Sequence, residues 1–90
     1  MKKGDVVSLV TLTGEYVGKY EDESPNGVVL KDPRWVIHGE QGMGFAHGLC
    51  STGRHNPDKV EFARGGMVFV TESNEDIEKA YRQAVSGLIV

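Results

Sequence analysis

The sequence predicts a mostly β domain, with five short strands bent strongly into a small barrel and one helix at the C-terminal end. Three observations carry this expectation. Runs rich in β-branched residues recur between Val6 and Thr71, separated by clusters of turn residues. Glycine falls inside one of those runs, at Gly18, where a small barrel needs a corner. Helical periodicity occurs only after Ser73. The chain has 90 residues, enough for one domain whose own core is marginal, so burial against further copies is a natural remedy.

The first strand is expected over "DVVSLVTL", residues 5–12, where apolar side chains point to both faces and both are at least partly buried. "TGE" at 13–15 turns the chain into a second strand, "YVGKYE", that bends at Gly18. "DESPNG" at 22–27 reads as a hairpin, because Asn-Gly accepts positive φ at both turn positions. A third strand begins at Val28, is interrupted by Pro33 and resumes as "RWVI" up to residue 37. Residues 38–58 read as a long glycine-rich loop, with at most a short strand around Phe45 to Cys50. Two strands follow within 59–71, Val60–Ala63 and Met67–Thr71, split by Gly65-Gly66. The helix is expected over 73–87, capped by Ser73 and stopped by Gly87. Its apolar stripe is Ile77, Ala80, Tyr81, Ala84 and Leu88.

Composition narrows the function classes. A net charge of −3 argues against a surface coated with positive charge for DNA, though not against a local basic patch. The single Cys50 has no internal disulfide partner, which suits a reducing, cytoplasmic setting. No apolar run approaches the ~18 residues of a membrane span, and "MKKGDVVSLV" lacks the continuous apolar stretch of a signal peptide.

Two stretches resemble the signatures of the Sm-like (LSm) superfamily, which includes a bacterial class of RNA chaperones. "VSLVTLTGEYVGKYEDESPNGVVLKD" is similar to the first signature, with Gly14, Gly18, Asp22, Asn26 and Leu30 at the matching positions. "FARGGMVFV" is similar to the second, in which an Arg-Gly pair, here Arg64 and Gly65, separates the last two strands. The resemblance implies an SH3-like barrel whose fourth strand pairs with the fifth strand of the next subunit, closing a homo-oligomeric ring. It also implies a nucleic-acid site of Asn26, Arg64, Gly65 and Asp22, in which the asparagine and arginine hold a nucleotide of single-stranded RNA without catalysis or cofactor. The guanidinium fork would meet a phosphate or stack on a base. Where that family often places a large base-stacking side chain, this chain has Ser24 and Pro25, and its helix follows the barrel instead of preceding it.

Each candidate also has a plainer reading. Asn26 serves an Asn-Gly turn, Arg64 pairs with Glu61 or with an acid of a neighbour, and Asp22 braces its loop. His38, His47, Cys50 and His55 are metal-ligand types, but one cysteine with three dispersed histidines is a poor zinc template, so no metal is expected. Trp35 and Phe45 either stack bases or fill a core or interface. "GEQGMG" lacks the ending of a phosphate loop. No nucleophile, base and stabiliser assemble from the chain, so an enzyme is not expected. The competing reading is a structural adaptor that uses the same barrel, with the long loop and the helix binding a protein partner and no nucleic acid.

Overall fold

A computed structural model describes residues 1–86; the expected stop at Gly87, the stripe position Leu88 and the terminal apolar residues lie outside them. The described residues are mostly β with one C-terminal helix, and they form six strands where five were expected. They are β1 (Val6–Thr11), β2 (Glu15–Ser24), β3 (Gly27–Gly39), β4 (Gly42–Phe45), β5 (Lys59–Ala63) and β6 (Met67–Glu72), followed by the helix α1 (Glu75–Ser86). A three-residue 3₁₀ turn, Arg64–Gly66, joins β5 to β6. All pairings are antiparallel, in the path β4-β3-β2-β1-β6, with β5 beside the first half of β3.

The additional strand arises where a loop was expected. β3 runs two residues past its expected end at residue 37, to Gly39, and its last four residues pair with β4, with Val36 opposite Phe45 and Gly39 opposite Gly42. The tip takes Gly42 at φ 115°, a conformation that favours glycine. The loop proper is therefore residues 46–58, and the short strand lies before Phe45, not after it.

Two bulges bend the β2–β3 ladder, and a third irregularity, between β1 and β6, leaves Val68 unopposed between Val10↔Phe69 and Thr11↔Met67. Asp32 and Pro33 together oppose Gly18, between the pairs Val17↔Arg34 and Lys19↔Lys31. Pro33 has no N–H to give a ladder, and Asp32 sits at φ 50°, so β3 bends here without ending. A Cβ on Gly18 would lie 3.1 Å from the Cα of Pro33, which is why the bend needs glycine on the facing strand. The second bulge leaves Glu21 unopposed on β2, between Tyr20↔Leu30 and Asp22↔Val29.

Bending and alternation bury both faces. Val7, Leu9, Val28 and Leu30 form one core, with Tyr20, Phe62, Met67 and Val70 packed around it. Val6, Val17, Val36 and Tyr81 form the other, beneath Ile77 and Val85 of α1 and beside Phe45. The helix stripe is thus Ile77, Tyr81 and Val85, while Ala80 and Ala84 are exposed. Its cap is Asn74, not Ser73: the Asn74 Oδ1 accepts from the Ile77 N–H at 2.9 Å. Ser73 instead ties the strand edge, through its N–H to the Val6 carbonyl at 3.1 Å and its hydroxyl to Ser8 at 2.7 Å. Tyr81 is fully buried, and its hydroxyl donates to the Asp32 carbonyl at 2.6 Å, fastening the helix to the bend in β3.

Candidate functional site

The turn between β2 and β3 and the 3₁₀ turn between β5 and β6 meet because β5 lies beside the first half of β3, from Gly27↔Ala63 to Lys31↔Lys59. Asn26 and Arg64 thereby become neighbours: the Arg64 N–H donates to the Asn26 carbonyl at 2.8 Å. One guanidinium nitrogen of Arg64 donates to the carbonyls of Ser24 and Gly27, both at a long 3.4 Å. Its Nε and other Nη have no hydrogen-bond partner among the described residues, and neither has the exposed Asn26 amide. The expected Arg64–Glu61 pair does not form. Glu61 accepts instead from the Ser24 hydroxyl, whose oxygen also accepts from the Gly27 N–H at 3.0 Å.

The turn itself differs from the expected one. Neither Asn26 nor Gly27 has positive φ, so the hairpin is not of the mirror-image kind that Asn-Gly favours. Ser24-Pro25-Asn26-Gly27 follows the type I preference instead: Ser first, Pro second and Gly fourth. Gly27 is required for a different reason. A Cβ there would fall 1.8 Å from the Phe62 carbonyl oxygen, where β5 crosses.

Asp22 lies on the same hairpin, exposed, with its Oδ1 accepting from the Glu23 N–H at 2.8 Å. Gly65 is exposed in the middle of the 3₁₀ turn, and neither it nor Gly66 has positive φ. The turn is therefore not a glycine-enforced hinge. The two segments are mixed in charge, since they carry the carboxylates of Asp22, Glu23 and Glu61 as well as the Arg64 cation. Further down β2, Lys59 and Lys3 each bridge to Glu21, at 3.3 and 3.4 Å. Partial burial raises the Glu21 pKa, but hydrogen bonds from Lys59 and Lys3 outweigh it and hold the carboxyl below its ordinary value.

The remaining sequence candidates fall elsewhere. Phe45 packs edge-on against Tyr81, ring centroids 6.1 Å apart, and is a core residue. Trp35 is half-buried opposite Tyr16. His47 meets Asn56 at 3.3 Å, and among the described residues no three His, Cys, Asp or Glu gather as metal ligands. Sequence reasoning missed a cleft of about 340 Å³ on the far side of the 3₁₀ turn, lined by Leu12, Tyr16, Phe62 and Gly66 among others. Its signal was the second glycine of "RGG", beside an apolar Leu12 in a turn. It also missed Arg34, buried beneath the sheet's helical cover at 7% exposure.

No described helix is long and apolar enough to cross a membrane. Comparison with protein families, curated proteins and solved structures finds no match to the chain.

Proposed function

We propose that the chain is a divergent Sm-like module that forms a homo-oligomeric ring and holds single-stranded RNA at the Asn26–Arg64 rim, without catalysis. The observation that carries the reading is the direct contact of Arg64 with Asn26, which lie far apart in sequence and correspond to the two resembled signatures. With β4 set aside as an addition to β3, five strands remain in the path β5-β3-β2-β1-β6, an arrangement that supports an SH3-like barrel. The Arg-Gly pair joins the two end strands of that path. Each end strand pairs on one side only among the described residues, β5 with β3 and β6 with β1. Beside its open edge, β6 leaves Val68 56% and Phe69 52% exposed, a liability that pairing with a second copy removes. In a ring, one arginine and one asparagine per subunit become many, and weak contacts add as avidity.

The test is polarisation of labelled oligo-U and oligo-A with the whole protein. The expected result is binding that weakens with added salt and falls in Arg64→Ala. Light scattering checks the assembly, and a stable monomer at micromolar concentration contradicts the ring. A second reading, a protein-binding adaptor on the same scaffold, is favoured by the three carboxylates on the segments carrying Arg64, which repel phosphate. Under it the oligomer stays intact and no oligonucleotide binds even at low salt.

A further inference from the structure

Gly65 and Gly66 have no explanation among the described residues. Neither takes a positive φ, and a Cβ added to either would meet nothing within 4 Å. The contrast with Gly27 is direct, since there a Cβ would strike backbone at 1.8 Å. The fold accepts alanine at 65 and 66, and glycine carries an entropic cost that alanine avoids. Close approach of another molecule to the backbone is one use of a glycine that the internal packing of the fold does not require.

The cleft beside Gly66 indicates what that molecule is. It is walled by Thr11, Leu12, Tyr16, Phe62, Ala63 and Gly66, and its volume is about 340 Å³. The Tyr16 and Phe62 rings stand 5.1 Å apart at 56°, and Leu12 is 78% exposed along its margin. The Leu12 N–H donates to the Gly66 carbonyl at 3.1 Å, so the 3₁₀ turn is one wall of the cleft and is fixed at this end. At its other end the same turn carries Arg64, with two guanidinium nitrogens unused among the described residues.

We propose that Gly65, Gly66 and this cleft form a subsite for an unstacked nucleobase. Aromatic and aliphatic walls take the flat faces of a base, and the bare glycine backbone lets the strand lie against the turn. The free guanidinium nitrogens serve the adjoining phosphate. The subsite rests on the RNA reading and fills its gap: Ser24 and Pro25 offer no stacking surface, so stacking moves across the turn to Tyr16 and Phe62.

Trp35, the single tryptophan, lies opposite Tyr16 and reports occupancy by its emission. The whole protein and its Gly66→Val, Leu12→Ser and Arg64→Ala variants are titrated with oligo-U and oligo-A, with melting and light scattering run alongside. Gly66→Val is expected to melt within a few degrees of the native protein and keep its oligomer size. Its affinity is expected to fall about tenfold, the loss of roughly one base stack. Leu12→Ser falls in the same direction, and oligonucleotide changes the Trp35 emission of the native protein. Unchanged affinity in both cleft variants, with loss in Arg64→Ala, overturns the subsite and leaves the RNA reading standing. A native protein that binds neither oligonucleotide overturns both. A change of oligomer size in Gly66→Val assigns the glycines to contact between copies and overturns the subsite.

Discussion

Replacing Tyr81 by phenylalanine removes one oxygen atom from the most buried side chain of α1 and leaves its ring in place. The hydroxyl donates to the Asp32 carbonyl at 2.6 Å and more weakly to the Lys31 carbonyl at 3.3 Å. Asp32 stands in the bulge, outside the β2–β3 register. A buried acceptor left without a donor costs about 1–3 kcal/mol. Taking about 2 kcal/mol, and 4–8 °C per kcal/mol for a domain of this size, the variant should melt roughly 8–16 °C lower. Circular dichroism melts at neutral pH measure it. Alkaline pH supplies an independent check. Burial, then the Asp32 carboxylate, push the Tyr81 phenol far above its ordinary value of 10.0. A folded-state pKa raised above the unfolded one contributes stability that is complete below about pH 10 and is lost as pH rises beyond it. The gap between native protein and variant should therefore narrow above pH 10. A loss under about 0.5 kcal/mol, the size of an ordinary surface substitution, refutes the assignment of Tyr81 as the fastening between helix and bend.

Three further outcomes follow from the same geometry. Gly27→Ala forces a Cβ onto the Phe62 carbonyl and should cost about 3 kcal/mol, the upper range for overpacking, read by urea denaturation. Glu21 titrates below its ordinary 4.5 in the folded state, so its contribution is present above that pH and lost as pH falls through the depressed value. Glu21→Gln should accordingly flatten the acid limb of a pH-stability profile. Phe69→Lys, at a half-exposed position on β6, should leave the melting temperature nearly unchanged, and under the proposed ring light scattering should give a smaller particle for the variant than for the native protein.

The fold was legible where one force dominates a segment. Runs rich in β-branched residues marked β1 and β6, β2 was read as the continuation after the turn at 13–15, and its bend followed from the place of Gly18 inside the strand. It was less legible where local and non-local demands share a residue. Asn26-Gly27 has the composition of a mirror-image turn, but Pro25 supplies a type I alternative and β5 claims Gly27 for its close approach. Pro33 reads as an interruption of the third strand because it lacks a donor, and the structure makes that interruption a bulge opposite Gly18. The β3–β4 hairpin was hidden by its glycines, which weaken every propensity signal for a strand whose pairing is supplied by β3. Ser73 and Asn74 are both good caps by type, and only the pull of Val6 and Ser8 on Ser73 separates them.

The site is a sharper case, because function competes with fold for the same residues. Gly18, Gly27, Asn74 and Tyr81 each have an internal partner or an internal clash that explains them. Among the described residues, apart from Ile37 and Met43 on the β3–β4 hairpin and Met1, the large exposed apolar residues are Leu12, Val68 and Phe69. Leu12 is bonded to Gly66, and Val68 and Phe69 begin the strand that leaves the same turn. The Asn26 amide and two nitrogens of Arg64, without hydrogen-bond partners among the described residues, belong to the same pair of turns. Side chains and glycines without an internal purpose thus converge on three residues, 64–66, that contribute nothing buried to either core. A domain with a marginal core has little reason to gather such exposed apolar surface at one turn unless another molecule covers it.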